Sequence, residues 1–248
     1  GHDQFDYDSV RRILGDVVPL EVLQMLGGQQ NLNMTWLALN LSHYVNGVAK
    51  RHEEVSRERF PGYPIQHITN GVHSLTWTGE SFQRLYDEWI PGWRNDPAML
   101  RKALNIPNDK IWDAHVEAKS CLMAYIREHT GRCLRPDAFT IGFARRATAY
   151  KRADLVFADI AQLVEIAKLA GPLQFVFAGK AHPMDWGGKQ LIERIVATAR
   201  QTGERMPIVY LENYNLDMAK LLVSGVDLWL NTPQRPLEAS GTAGMKAA

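Results

Sequence analysis

Apolar residues recur at helical spacing through the first quarter of the chain. They lie three or four positions apart from Val10 to about Glu58, in VRRILGDVVPLEVLQML and MTWLALNLSHYVNGVAKRHEEV, and this pattern predicts two or three helices. Prolines and glycines in FPGYP then interrupt it, and the following IQHIT is typical of a short strand. We therefore place a domain boundary near Asn70, after a largely helical segment, residues 1–70.

The next segment, residues 71–135, has no alternating strand pattern. Its tryptophans are scattered through short apolar stretches, and it ends in HVEAKSCLMAYIREHTG. Gly131 stands where a glycine commonly ends a helix. The pattern predicts several helices that connect two domains, with the tryptophans serving packing.

From residue 136 to residue 248 the pattern alternates between short apolar runs and amphipathic helices. The runs are FTIGFA, LQFVFAGKA, PIVYLENY and VDLWLNTP. Continuous apolar strands joined by helices are typical of a parallel sheet covered on both faces. The sequence therefore predicts an α/β, Rossmann-like domain whose ligand loops follow the carboxyl ends of the strands.

Composition narrows the function classes. The 248 residues are 46% hydrophobic, and 28 Lys and Arg balance 27 Asp and Glu, so no overall charge favours nucleic acid or a membrane surface. No apolar run is long enough to span a membrane. Cys121 and Cys133 lack the spacing of a metal site or a disulfide framework. We expect a cytoplasmic protein that binds neither metal, membrane nor nucleic acid.

A dense group of cations follows the first predicted strand. Arg145, Arg146, Lys151 and Arg152 lie within eight residues in ARRATAYKRADL, where the strand is expected to lead directly into a helix. These cations repel one another unless an anion compensates their charge, and a helix N-terminus also favours the binding of phosphate. The alternative is a solvated basic face.

The next two strand ends carry weaker signals. Gly179, Lys180 and His182 follow the second strand, in a pattern that is neither Walker A nor GxGxxG, so a tight turn explains them equally well. Asn213 and Tyr214 follow the third strand. The tyrosine could line a sugar or a planar cofactor, or simply pack in the core.

The last stretch, NTPQRPLEASGTAGMKAA, brings a lysine behind small residues. A helix is expected to begin near Gly241, with Lys246 about one turn later. A lysine amine can condense with an aldehyde cofactor such as pyridoxal phosphate, and the basic group would hold the phosphate. The alternative for Lys246 is a solvated charge.

These stretches together resemble the α-glucan phosphorylases, the glycogen, starch and maltodextrin phosphorylase family, and in particular its shorter prokaryotic branch. The matching motifs run in the family's order and cover most of the chain. They are NMTWLALNLSHYVNGVAKRH, HITNGVHSLTW, GFARRATAYKRADL, FAGKAHPMDWGGK, VYLENY and LNTPQRPLEASGTAGMKAA.

The resemblance implies a two-lobed, nucleotide-sugar-transferase-like (GT-B) fold. Residues 1–70 would be the helical end of the first lobe, and residues 136–248 the first part of the second lobe, which binds pyridoxal phosphate. The implied reaction is retaining phosphorolysis of terminal α-1,4-glucosidic bonds to glucose 1-phosphate. The full-length enzyme would be cytoplasmic, allosteric and homodimeric, with glucan and inorganic phosphate as partners.

The resemblance also implies roles for individual residues. Lys246 corresponds to the Schiff-base lysine, Arg145 to a contact of the cofactor phosphate, and Arg146 and Lys151 to contacts of the substrate phosphate. Tyr214 and Thr242 would lie beside the cofactor. The positions that correspond to glucose contacts are Asn70, Tyr150, Glu238, Ser240 and Gly241.

The chain departs from the family's animal and plant members at three positions. They carry histidine and glutamate where this chain has Thr148 and Ala149, and asparagine where it has Gly244; we interpret these as branch features. The resemblance further implies that the first lobe's glycine-rich loop and sugar-site histidine would lie before residue 1, and the rest of the second lobe after residue 248. We therefore expect the central piece of a longer enzyme, with little phosphorolysis by itself. The alternatives are a nucleotide-sugar glucan synthase of the same architecture and a non-catalytic glucan-binding fragment.

Overall fold

The computed structural model describes residues 3–15 and 17–248, and the chain divides into two compact units, Gly1–Asn70 and Gly71–Ala248. The second unit contains a four-stranded parallel sheet with helices around it. The predicted α/β class is therefore confirmed. The assignment of residues 1–70, 71–135 and 136–248 to parts of two lobes stays a prediction.

The first unit consists of short helices and two pairs of short strands. Its elements are β1 Gln4–Asp6, α1 Tyr7–Leu14, α2 Leu20–Gly27, β2 Asn31–Asn33, α3 Met34–Leu41, β3 Val45–Gly47, α4 Lys50–Arg59 and β4 Ile65–His67. Strands β1 and β2 are antiparallel, whereas β3 and β4 are parallel. Val10, Leu23 and Leu32 form its small core.

The prediction of two or three helices in this unit is wrong, because the described residues form four. Gly28, with φ of 109°, ends α2 in a conformation that favours glycine. The side chain of Asn33 then accepts hydrogen bonds from the backbone N–H groups of Thr35 and Trp36 and starts α3. The strand predicted at IQHIT is confirmed as β4.

The second unit begins with helices. They are α5 Ser74–Trp77, α6 Glu80–Trp89, a 3₁₀ helix Pro97–Asn105 and α7 Asn108–Thr130. Helix α7 ends at Gly131, as predicted: this glycine is left-handed, and its N–H donates to the Arg127 carbonyl over 2.9 Å. Among the described residues, no helix combines the length and the apolar content needed to cross a bilayer.

The α/β part of the unit follows. Its elements are β5 Phe139–Ala144, 3₁₀ turns Ala149–Lys151 and Leu155–Phe157, α8 Ile160–Ala170, β6 Leu173–Ala178, α9 Trp186–Thr202, 3₁₀ turn Gly203–Arg205, β7 Ile208–Leu211, α10 Leu216–Gly225, β8 Leu228–Trp229 and α11 Ala243–Ala247.

Strand order places a crevice at one position of the sheet. The order is β7-β6-β5-β8, with every pairing parallel. The chain thus moves outward from β5 to β7 and then returns to the other side of β5. Ligands of open α/β sheets bind where the strand order reverses, beyond the carboxyl ends of the strands. Here that point lies between β5 and β8.

Each face of the sheet has its own core, as alternation along the strands requires. Phe175 and Phe177 of β6 pack with residues of α9 on one face, whereas Val176 packs with residues of α7 and α10 on the other. Gly225 allows α10 to approach α7, since a Cβ there would lie 2.7 Å from the Cβ of Leu122.

A buried ion pair joins α7 to the start of β8, away from the carboxyl ends of the strands. Asp227 accepts hydrogen bonds from Lys119 Nζ at 2.6 Å, the Thr140 N–H at 2.7 Å and His115 Nε2 at 2.7 Å. Burial by itself raises the pKa of Asp227, but these partners outweigh it and lower the pKa.

We expect Asp227→Ala to lower the free energy of unfolding of the second unit by about 3–5 kcal/mol, because Lys119 would keep a buried charge without a counter-ion. Urea denaturation followed by circular dichroism measures the loss. Asp217→Ala is the matched control, because that side chain is 91% exposed and should cost less than about 1 kcal/mol. Equal losses in the two variants would contradict the prediction.

Candidate active site

The loops that follow β5 and β8 meet at the reversal of strand order. Arg145 follows the last residue of β5, and its backbone N–H donates to the Ala178 carbonyl at the end of β6. Its Nη1 donates to the Asn231 side-chain oxygen over 2.6 Å. Asn231 lies two residues beyond β8. Topology therefore brings two sequence motifs 86 positions apart into contact.

Glu238 connects the basic turn, residues 145–152, to the last loop, residues 230–242 after β8, through two charged contacts. Oε1 accepts from Arg145 Nη2 at 2.9 Å, and Oε2 accepts from Lys151 Nζ at 2.5 Å. The side chains of Arg145 and Lys151 are only 6% and 9% exposed, and that of Glu238 is 16% exposed. We call this three-residue arrangement the Glu238 clasp. Because both cations are buried, the carboxylate is needed to balance their charge.

Backbone contacts reinforce the clasp. Arg152 Nε donates to the Thr232 carbonyl over 2.8 Å, and the Thr232 hydroxyl donates back to the Lys151 carbonyl over 3.2 Å. The Gln234 N–H donates to the Tyr150 carbonyl over 2.7 Å. The basic turn and the last loop are therefore joined along most of their length.

A cavity of about 310 Å³ opens beside the clasp, a volume at the lower end of the range for ligand sites. It contains nine of the residues predicted for the site. They are Arg145, Arg146, Lys151, Tyr214, Glu238, Ser240, Gly241, Thr242 and Lys246. The Lys246 amine and the basic turn thus line the same cavity. The individual roles of these residues stay predictions.

Lys246 enters the cavity from α11. Its backbone N–H donates to the Thr242 carbonyl over 3.1 Å. Its Nζ lies 4.2 Å from the centroid of the Trp77 ring, within the range of a cation–π contact. The predicted helix near Gly241 is confirmed as α11, which begins at Ala243.

Two predicted residues lie outside the cavity lining. The centroid of the Tyr150 ring lies 4.8 Å from Lys151 Nζ, a member of the Glu238 clasp. Asn70 is the last residue of the first unit, where its N–H donates to the Val48 carbonyl. The predicted contacts of both residues with glucose stay predictions.

One local prediction about the basic turn is wrong. We expected it to lead directly into a helix N-terminus, but the chain forms the 3₁₀ turns Ala149–Lys151 and Leu155–Phe157 before α8 begins at Ile160. Arg152, with φ of 49°, is left-handed and ends the first of these turns. The positive charge that the basic turn brings to the cavity therefore comes from its side chains.

The motif after β6 favours the turn interpretation. Lys180 and His182 are exposed and do not line the cavity, and His182 Nδ1 accepts from the Met184 N–H within the loop. Gly179 is required for packing, because a Cβ there would lie 2.1 Å from the Arg145 carbonyl oxygen. This glycine lets the basic turn lie close against the end of β6.

The core-packing interpretation of Tyr214 is confirmed, whereas its contact with a sugar or a planar cofactor stays a prediction. Tyr214 packs against the core of one sheet face and also lines the cavity. Burial raises the pKa of its hydroxyl, which therefore stays protonated and can donate a hydrogen bond.

The sequence patterns did not identify Trp77 and Trp229, which line the cavity, or Asn231, which contacts Arg145. Trp229 and Asn231 lie at the end of β8, and the rule that ligand loops follow parallel strands could have identified them. Trp77 gave no such signal, because it lies at the end of a short helix 169 positions before Lys246. Only tertiary structure brings its ring to the amine.

Electrostatics in the cavity are dominated by cations. Four of its side chains are basic (Arg145, Arg146, Lys151 and Lys246), against the single carboxylate of Glu238. Arg146 is exposed and forms no salt bridge with any residue that the structure describes. The cavity can therefore accept further negative charge.

Two pKa values reflect this field. For Glu238 burial raises the pKa, but the contacts with Lys151 and Arg145 outweigh burial and lower it. For Tyr150 burial likewise raises the pKa, but Lys151 and Arg146 lower it more. Both groups are stabilised in their anionic forms.

The cavity offers an amine, aromatic walls and buried cations. This set can hold a planar aldehyde that carries a phosphate. Within residues 3–15 and 17–248, no group of three or more His, Cys, Asp or Glu side chains is placed to hold a metal ion.

Comparison with known proteins identifies relatives over the whole described chain. A family model described as carbohydrate phosphorylase matches residues 3–248. A glycogen phosphorylase of Aquifex aeolicus is 37% identical over 88% of this chain and 36% of its own length. A maltodextrin phosphorylase of Thermococcus litoralis is 35% identical over 100% of this chain and 33% of its own length. A glycogen phosphorylase of Mycobacterium tuberculosis is 32% identical over 100% and 34%. The chain thus spans about a third of the length of these curated relatives.

The lowered pKa of Glu238 predicts how acid affects the clasp. Its stabilising contribution is complete above the ordinary value of 4.5 and is lost as pH falls below that value through the folded-state pKa. We expect Glu238→Gln to lower the melting temperature near neutral pH and to differ less from the unmodified chain in acid. Thermal unfolding of both proteins from about pH 7 to about pH 3 measures the gap. A gap that stays constant across this range would contradict the prediction.

Proposed function

Because the chain belongs to the carbohydrate phosphorylase family, we propose that it forms the cofactor- and phosphate-binding part of an α-glucan phosphorylase. That enzyme transfers the terminal glucosyl unit of an α-1,4-glucan to inorganic phosphate and yields glucose 1-phosphate with retained configuration. One observation carries the proposal: the Lys246 amine lines the same cavity as the buried cations Arg145 and Lys151.

The proposal includes a division of the chain between two lobes of a GT-B-type enzyme. Residues 1–70 end the first lobe, residues 71–135 connect the lobes, and residues 136–248 begin the second. The parallel sheet and its reversal between β5 and β8 support a ligand site in the second lobe.

The proposed cofactor is pyridoxal phosphate, and the residues present fit it. Lys246 would hold its aldehyde, Arg145 would bind its phosphate, and Tyr214 and Thr242 would lie beside it. The Trp77 ring beside the Lys246 amine supports this position, because it supplies an aromatic wall where a planar ring would lie. When bound, the cofactor supplies a phosphate group that exchanges a proton with the substrate phosphate.

The chain's own contribution to the reaction is electrostatic. Arg146 and Lys151 hold the substrate phosphate and, with Arg145, offset the repulsion between two neighbouring dianions. Arg146 suits this role because its exposed side chain has no described carboxylate partner. These cations also stabilise negative charge on the phosphate as the glucosyl unit leaves the glucan.

Sugar hydroxyls are the proposed partners of a second set of groups. Glu238 accepts hydrogen bonds from them, and the backbone at Ser240 and Gly241 donates. A Cβ at position 241 would lie 3.0 Å from both Glu238 Oε1 and Arg145 Nη2, so glycine lets the backbone come close to these groups. Tyr150 and Asn70 complete the proposed set.

For the whole protein we propose a cytoplasmic, homodimeric enzyme with allosteric control. Its partners are α-1,4-glucan and inorganic phosphate or glucose 1-phosphate. Nucleic acid and membrane surfaces are not proposed as partners, in keeping with a formal net charge of +1.

We expect pyridoxal phosphate, fixed by borohydride reduction, to label Lys246 of the 248-residue chain selectively, because the nearby cations bind the reagent's phosphate. Pyridoxal, which has no phosphate, should label Lys246 at least about tenfold less at equal concentration. Peptide mass spectrometry locates and counts the label.

Two variants control this experiment. Lys246→Ala should remove the selective label, whereas Lys180→Ala should keep it, because Lys180 is exposed and lies outside the cavity. Label spread evenly over exposed lysines, or equal labelling by the two reagents, would refute the cofactor site. A glucan synthase of similar architecture would instead bind a nucleotide sugar and show no selective label.

A further inference from the structure

The carboxylate of Glu238 lies where the proposed function requires phosphate. Each of its oxygens accepts a hydrogen bond from a cation that we assign to a phosphate group. Arg145 is assigned to the cofactor phosphate and Lys151 to the substrate phosphate. It is the only carboxylate among the described residues of the cavity lining. The cations are therefore already neutralised in part by the chain itself.

We propose that Glu238 is a built-in competitor of phosphate, and that phosphate binding releases it to accept hydrogen bonds from the sugar. The inference rests on the proposed function, because it takes Arg145 and Lys151 as phosphate ligands. Glu238 then exchanges its two cations for the hydroxyls of the sugar when phosphate binds.

Charge favours the exchange in this direction. Glu238 offers one negative charge and two acceptor oxygens, whereas a phosphate dianion offers two charges and more acceptor positions. Four cations and one carboxylate line the cavity, so adding a phosphate dianion brings the site closer to neutrality even while Glu238 stays beside it. The released carboxylate stays close to the cavity, because the preceding loop is hydrogen-bonded to the basic turn through Gln234 and Thr232.

Small residues beside Glu238 leave space for its side chain to move. Glu238 precedes the small residues Ala239, Ser240 and Gly241. A Cβ at position 241 would lie 3.0 Å from Glu238 Oε1 and would restrict the movement of this oxygen. A glycine at this point leaves room for the side chain to change its rotamer.

The exchange couples the two substrates. Phosphate frees an acceptor for sugar hydroxyls, and a sugar that engages Glu238 frees cations for phosphate. Linkage requires that each ligand raise the affinity for the other by the same factor. Binding of phosphate and glucan is therefore expected to be mutually favourable.

Isothermal titration with inorganic phosphate, in the absence of cofactor, tests the inference. The 248-residue chain carrying Glu238→Gln should bind phosphate at least about fivefold more tightly than the unmodified chain, because the amide lacks the competing charge. Glu165→Gln is the matched control: it removes one negative charge from an exposed pair on α8 and should leave the affinity unchanged. Equal or weaker binding by folded Glu238→Gln would overturn the inference.

A second measurement covers the case in which Glu238→Gln does not fold. In a crystal structure of the unmodified chain with inorganic phosphate bound at Arg145 and Lys151, Glu238 should have lost at least one of its two contacts. Retention of both would overturn the inference. Failure of the Lys246 labelling would remove the cofactor site but leave these results standing, so the two proposals can fail separately.

Discussion

A carboxylate shared by two buried cations holds the candidate site together. Glu238 is 93 positions from Arg145 and 87 from Lys151, and it contacts both. Burying two cations is costly unless an anion compensates them, so the loop after β8 must return to the turn after β5. That return places α11, and with it Lys246, on the cavity that the basic turn lines. The relative position of the amine and the cations therefore follows from a charge requirement.

The sheet makes the clasp geometrically available. With the order β7-β6-β5-β8, the first and last strands of the α/β part are neighbours, and their following loops start side by side. At the opposite end of β8, Asp227 ties the strand to α7 through Lys119 and His115. The two-residue strand β8 is thus held by charged contacts beyond both of its ends. This arrangement compensates for its few ladder hydrogen bonds.

Charge imbalance links the structure to the proposed chemistry. A cavity with four cations and one carboxylate favours the binding of anions, and the proposed phosphorolysis would bring two phosphate groups together there. The Trp77 ring against Lys246 adds an aromatic wall at the same place. In the proposed exchange, one carboxylate balances Arg145 and Lys151 and then accepts hydrogen bonds from the sugar once phosphate has bound.

The sequence alone determined the strands of the parallel sheet and the chemical character of the cavity. Apolar runs predicted the four strands of the parallel sheet, and Gly131 predicted the end of α7, because local periodicity and backbone preference are properties of short stretches. The motif resemblance predicted nine of the residues that line the cavity. The tertiary structure alone decided that Glu238 clasps Arg145 and Lys151, that Trp77 meets Lys246, and that the basic turn precedes a 3₁₀ turn rather than a long helix. These features depend on strand order and on contacts between distant residues, which local patterns do not encode.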